Sequence, residues 1–152
     1  TLDGEPLLRA RQEMCAIDVR DHSLRRVDST PFPMDMDLLR PVVTAPCRRM
    51  KLKLGEECLV YSYQVRTMDT DLNHHMNNTN YIRLILDAQP SSFWDRYRVQ
   101  EFDVHYVNES VEGEEIQVYC QTEAQEMAVQ IKRGETTLVK AFLQLAQREK
   151  SE

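Results

Sequence analysis

The chain has 152 residues, room for one domain of ordinary size or one domain with an attached piece, and none for a large multidomain enzyme. Hydrophobic residues make up 41% and charged residues 29%; no stretch approaches the roughly 20 consecutive apolar residues of a membrane-spanning helix, so no membrane partner is expected. The formal net charge of -6 repels a phosphate backbone over most of the surface, which argues against nucleic acid unless basic residues concentrate in one place.

In chain order, Asp3-Gly4 is a strong hairpin signal, and a strand-like run from Pro6 to Val19 follows it. A hairpin needs a strand on both sides and only two residues precede this one. Residues 1–28 are therefore expected to be the closing strands of a truncated first unit, the alternative being a simple N-terminal turn. Residues 29–54 carry Pro31, Pro33, Pro41 and Pro46 with poor apolar periodicity, and read as a linker. Its basic residues Arg48, Arg49, Lys51 and Lys53, with Arg25 and Arg26 upstream, are either a solvated stretch or a docking patch for an acidic partner.

A fuller pattern occupies residues 55–148. Glu57 to Thr67 reads as a strand rich in β-branched and aromatic residues, Val60, Tyr61, Tyr63 and Val65. Asn77 or Asn78 then caps a helix whose apolar positions Tyr81, Ile82, Leu84, Ile85, Leu86 and Ala88 lie almost all round it, the mark of a buried helix, until Pro90 ends it. A connection from Ser91 to Tyr97 leads to four strands: Val99 to Asn108, Glu115 to Ala124, Glu126 to Lys132 and Thr137 to Ala146. In the first, Phe102, Val104 and Tyr106 alternate with Glu101, Asp103 and His105, as in a sheet with one wet face. Glu112-Gly113 and Arg133-Gly134-Glu135 mark hairpin turns. The order predicts an α+β domain, an antiparallel sheet wrapped around a long central helix.

Chemistry concentrates before that helix, in Asp69-Thr70-Asp71-Leu72-Asn73-His74-His75-Met76-Asn77-Asn78. Asp and Asn favour turns and caps, so one reading is a structural loop. The other is a site at a helix N-terminus, where backbone N–H groups around Met76, Asn77 and Asn78 hold an oxyanion, as acyl transfer requires. Metal is not expected: adjacent His74 and His75 tend to point apart, and no H-x-x-x-H or cysteine partner is present. His22 and His105 read as ordinary surface or sheet residues. Cys15, Cys47, Cys58 and Cys120 are widely spaced with no C-x-x-C pair, which fits thiols in a reduced compartment.

The stretch Val65 to Tyr81, Val-Arg-Thr-Met-Asp-Thr-Asp-Leu-Asn-His-His-Met-Asn-Asn-Thr-Asn-Tyr, resembles the signature of acyl-acyl-carrier-protein thioesterases. Its shorter form, Asp-x-Asp followed by His-x-Asn-Asn and Tyr, is shared by many hotdog-fold thioesterases. The resemblance spans roughly Gly55 to Gln147 as one hotdog unit, with the preceding segment similar to the end of the first hotdog in the duplicated enzymes. It implies that Asp71, Asn73 and His75 occupy the catalytic positions of the loop and that Glu109, in Tyr106-Val107-Asn108-Glu109-Ser110, is the further catalytic acid. Ser110 stands where the plant enzymes have a cysteine, a departure that counts against a cysteine nucleophile, and Cys120 does not match the motif.

The implied activity is hydrolysis of acyl-acyl-carrier protein, without a cofactor, in the cytoplasm or in the plastid stroma of a plant. Two routes stay open: water attack with Glu109 and His75 as general base, and direct attack by Asp71 or Glu109 giving a mixed anhydride. An acyl-CoA thioesterase and a noncatalytic acyl-binding hotdog are the alternatives. The implied partners are an acyl carrier protein bearing an acyl-phosphopantetheine, docked on Arg48, Arg49, Lys51 and Lys53, and a second copy of the chain, paired through a sheet edge.

Overall fold

The computed structural model describes residues 7–13, 16–18, 20–21, 23–26 and 50–149. The chain divides into two compact units, Thr1–Arg48 and Arg49–Glu152. The expected Asp3-Gly4 hairpin and most of the expected linker lie outside the described residues.

In the first unit the described residues include a two-stranded ribbon, β1 (Ala16–Ile17) against β2 (Leu24–Arg25). Residues 7–13 form no strand, since Arg9, Arg11, Gln12 and Glu13 leave little apolar surface to bury against a partner. The turn between β1 and β2 is built by carboxylates: Asp18 Oδ1 accepts the Arg20 N–H and Asp21 Oδ1 the Ser23 N–H, both at 2.9 Å. Arg25 clamps Asp18 Oδ2 through Nε and Nη2, at 3.2 and 2.8 Å.

The second unit is a five-stranded antiparallel sheet carrying a helix, α1, on one face. Its strands are β3 (Leu59–Gln64), β4 (Tyr97–Tyr106), β5 (Glu115–Glu123), β6 (Glu126–Arg133) and β7 (Thr136–Gln147), in the order β3-β5-β6-β7-β4. Alternation sets the two faces. Ile116 and Val118 of β5, Met127, Val129 and Ile131 of β6, and Val139, Ala141, Leu143 and Leu145 of β7 are buried in one cluster. Helix α1 (Asn78–Leu86) closes that cluster with Tyr81, Leu84 and Ile85. Each such side chain taken fully from water contributes about 1.5–3 kcal/mol.

The helix is shorter and less enclosed than its composition suggested. Tyr81, Leu84, Ile85 and Ala88 are buried, whereas Ile82 and Leu86 are half-buried and Arg83 and Asp87 exposed. It stops at Leu86 because its last carbonyls find side-chain donors: the Tyr61 hydroxyl reaches Leu84 O at 2.7 Å and the Trp94 indole N–H reaches Leu86 O at 3.1 Å. Pro90 instead caps a short second helix, α2 (Ser91–Trp94), within the expected connection. No helix among the described residues is long and apolar enough to cross a membrane.

The Glu112-Gly113 turn exists, with Gly113 at φ +85°, but it joins no hairpin. The strands it separates, β4 and β5, do not pair; β4 lies at the far edge against β7. The crossover instead pairs with the end of β3, through Gly113 N–H to Val65 O and Val65 N–H to Glu114 O, both 2.9 Å. Gly134, at φ +56°, does turn the β6–β7 hairpin. Residues 50–54, the end of the stretch read as linker, are fastened to the sheet, with Leu54 buried and its N–H given to Gln130 Oε1 at 2.9 Å.

Candidate active site

The polar segment between β3 and α1 is a tight turn, closed by Asp71 N–H to His75 O at 2.8 Å and His74 N–H to Asp71 O at 3.0 Å. His74 takes the left-handed conformation, φ 62°, which His tolerates better than most residues. Asp71 accepts the Asn73 N–H at 2.8 Å. Beyond the turn the backbone forms single antiparallel bridges, Thr70 with Met76 and His75 with Val111. The second bridge draws the β4–β5 crossover alongside the loop, and the His75 Nδ1 lies 3.2 Å from Glu109 Oε2.

The sequence-predicted residues therefore divide. His75 and Glu109 meet; the side chains of Asp71 and Asn73 make no hydrogen bond to either, and Asp71 serves the turn. The helix N-terminus differs from the expectation in a physical way. Met76 N–H is given to Ser110 O and Asn77 N–H to Asp69 O, both at 2.8 Å, so neither is left for an oxyanion. Asn77 is the cap, its Oδ1 taking the Thr79 N–H at 2.9 Å. That leaves Asn78 N–H, at the first helical position, without a hydrogen-bond partner among the described residues. Ser110 is buried, its Oγ 2.6 Å from the Tyr81 hydroxyl and donating to Met76 Sδ at 3.6 Å. Cys120 sits elsewhere, beside Gln89 and Thr122; burial pushes its thiol up despite those two hydrogen bonds. No cluster of metal-ligating side chains occurs among the described residues.

Of the cationic candidates, Arg48 and Arg49 lie outside the described residues. Lys51 and Lys53 line a cavity with Gln130, Lys132 and Lys140. Those strand residues alternate with the core positions Val129, Ile131, Val139 and Ala141, so the cavity lies on the sheet face opposite α1.

Two ion pairs that sequence reasoning did not single out hold this geometry. Asp69 is buried, its side chain only 5% exposed. Its Oδ2 accepts the Tyr63 hydroxyl at 2.7 Å and the Arg66 N–H at 2.8 Å, and its Oδ1 accepts Arg83 Nη2 at 3.0 Å. Glu114 receives Arg133 Nη1 on both oxygens at 2.6 Å, and its Oε2 also accepts the Val111 N–H at 3.0 Å. Arg133 touches the Glu109 carbonyl as well, at 3.4 Å. The signal for Asp69 is a carboxylate three residues after Arg66, just past the end of β3, the spacing that lets an acid reach back to a free N–H.

Asp69→Ala leaves the Tyr63 O–H and the Arg66 N–H without their acceptor and takes the carboxylate from Arg83, whose Nη2 keeps the Tyr63 hydroxyl oxygen at 3.0 Å. It is expected to lower unfolding free energy by about 3 kcal/mol, measured by urea denaturation; a loss under about 1 kcal/mol would deny Asp69 this role. For Glu114, burial pushes the carboxyl up, but the Arg133 and Val111 hydrogen bonds and the Arg133 charge outweigh it, and the net direction is down. A carboxyl lowered by folding stabilises at pH above its unfolded value and loses that contribution as pH falls. The stability gap between wild type and Glu114→Gln is therefore expected to be full at neutral pH and to shrink below about pH 4.3. A gap that stays constant from pH 7 to pH 3 would overturn the assignment.

No curated protein matches the chain. Among solved structures, an acyl-ACP thioesterase from Bacteroides thetaiotaomicron superposes with a TM-score of 0.66 at 21% identity, over 86% of this chain and 53% of that one. The 12:0-ACP thioesterase from Umbellularia californica gives 0.56 at 15% identity, over 66% of this chain and 40% of that one. A thioesterase from Thermus thermophilus gives 0.52 at 18% identity, over 60% of this chain and 79% of that one. The fold is the hotdog fold, and the chain spans about half the length of the Bacteroides protein. The acyl-ACP thioesterase C-terminal domain model matches residues 52–141, the span that holds the His75–Glu109 pair, the capped helix and most of the sheet around it, and the chain belongs to that family.

Proposed function

We propose that the chain hydrolyses the thioester of an acyl group carried on an acyl carrier protein, releasing a fatty acid. The carrying observation is the 3.2 Å contact between His75 Nδ1 and Glu109 Oε2, close in the chain to a helix N-terminus whose Asn78 N–H has no partner among the described residues. With Nδ1–H donated to the carboxylate, the imidazole is held in the tautomer whose Nε2 accepts a proton. A water beside this pair loses its proton as it attacks the thioester carbonyl, and the oxyanion is met by Asn78 N–H and the positive end of α1. The proton then returns to the thiolate that leaves. A serine or cysteine nucleophile is disfavoured because Ser110 is enclosed and hydrogen-bonded and the Cys120 thiol is raised by burial.

Acyl-CoA uses the same thioester chemistry and remains the second reading of the substrate. The carrier protein is preferred on the family match alone. Thiol release from acyl-carrier-protein and acyl-CoA panels separates the two. Glu109→Gln is expected to lower turnover at least about 100-fold, the usual size of a general-base contribution, and His75→Ala by a similar factor. Near-normal turnover in both variants would remove the pair from the mechanism.

The pair is open to solvent, the side chains of His75 and Glu109 being 37% and 60% exposed, and apolar Leu72, Val107 and Val111 nearby are exposed too. Among the described residues, strands β3 and β4 leave two unpaired sheet edges. A second copy joined through an edge would extend the sheet and cover this surface. Sedimentation equilibrium is expected to return the mass of a homodimer; a monomer at micromolar concentration would overturn this part of the proposal.

A further inference from the structure

The cavity on the sheet face opposite α1 has a charge that the chemistry of the His75–Glu109 pair does not use. It measures about 490 Å3 and is lined by Lys51, Lys53, Lys132 and Lys140 against a single carboxylate, Glu135. Four ammonium groups around one concavity repel one another, in a chain whose net charge is -6, where carboxylates to neutralise them are plentiful. Yet Lys51, Lys53 and Lys140 have no ion pair among the described residues.

The arrangement is built rather than incidental. The strap 50–54 that brings Lys51 and Lys53 to the sheet is pinned at Leu54 from two sides, its N–H to Gln130 Oε1 and its carbonyl to Lys132 Nζ, both 2.9 Å. Gln130 is itself buried and further tied to Thr137 Oγ1 at 2.8 Å. Lys132 is held from below as well, its Nζ 3.9 Å from the centre of the Tyr119 ring. One ammonium is thus fixed, while the side chains of Lys51, Lys53 and Lys140 make no hydrogen bond among the described residues.

We propose that this cavity is a binding site for a phosphate-bearing small molecule. Its volume suits a small ligand, within the usual range of about 300–1,000 Å3. Compact ammonium groups serve as point-charge partners for phosphate oxygens, and the Thr137 side of the wall offers a hydroxyl. The unfavourable proximity of the lysines is relieved when a polyanion enters. Glu135 opposes the ligand and sets how much negative charge the site demands. A free pyrophosphate and the diphosphate of a nucleotide present the same chemistry here. The site is separate from the His75–Glu109 pair and does not depend on the hydrolase reading.

The test is calorimetric titration of the full chain with pyrophosphate, ADP and a glutamate-rich peptide, at low and at physiological ionic strength. Saturable one-to-one binding of pyrophosphate or ADP is expected, weaker at the higher salt. Preference for ADP identifies a nucleotide, and equal affinity identifies the phosphates alone. Lys51→Gln with Lys140→Gln removes two charges whose side chains make no hydrogen bond among the described residues, so the fold is retained; affinity is expected to drop at least about tenfold. Glu135→Gln is expected to tighten binding about threefold, the scale of one partly exposed charge pair. In wild type, amide NMR shifts on adding pyrophosphate should centre on residues 50–54, 130–132 and 135–140. No saturable binding of either phosphate, unchanged affinity in the double variant, shifts centred elsewhere, or binding of the peptide alone would each overturn the proposal.

Discussion

Asp69 is the constraint on which the site depends. A carboxylate this deeply enclosed is tolerated only if its oxygens are satisfied, and here the donors come from three places in the chain: Tyr63 on β3, the Arg66 backbone at the strand end, and Arg83 on α1. Its own carbonyl then takes the Asn77 N–H at 2.8 Å and the Asn80 amide at 3.0 Å. One residue thus fixes where β3 stops, where α1 begins and how the turn between them is aimed. A shift of the turn by one position would leave a charge buried without donors, which costs more than the turn could regain by local hydrogen bonding.

The other half of the site arrives from the crossover between β4 and β5. That segment cannot hold itself in place, because its flanking strands lie at different positions in the sheet. Its contacts are borrowed: Met76 N–H on Ser110 O, Val65 with Gly113 and Glu114, and Arg133 on Glu114 and the Glu109 carbonyl. His75 and Glu109 are brought within 3.2 Å only because both anchor systems act on neighbouring backbone. This explains why exposed side chains can still be well placed: precision resides in the buried ion pair and bridges beneath them.

How much of this was legible in the sequence follows from the range of the interactions. Two-residue alternation located all five strands of the larger sheet to within a few residues, since each strand's own pattern carries that information. The cap was legible as Asn77 or Asn78, and the motif picks out His75 and Glu109, which the fold brings together. Partner choice was not: Glu112-Gly113 announces a turn but cannot say that β4 pairs with β7, some 40 residues on. Nor could the segment reveal that Met76 N–H is spent on Ser110 O and Asn77 N–H on Asp69 O. Six apolar residues around the helix predict a long, enclosed one, whereas Tyr61, remote in sequence, and Trp94, just beyond the helix, satisfy its final carbonyls and let it end at Leu86.

The departure at Ser110 has a structural rationale once its surroundings are considered. A nucleophile at that position needs a base and a path to the substrate. Ser110 has the Tyr81 hydroxyl and the Met76 sulfur as its neighbours and is almost wholly buried, and burial raises the Tyr81 phenol, keeping it protonated and unable to act as that base. What Ser110 supplies is attachment, its hydroxyl to α1 and its carbonyl to the loop. The residue next to it, Glu109, is exposed and faces an imidazole. On the proposed reading the crossover therefore assigns its two adjacent positions to different tasks, one inward to hold the loop and one outward to move a proton, and a residue that fills both tasks at once is not needed.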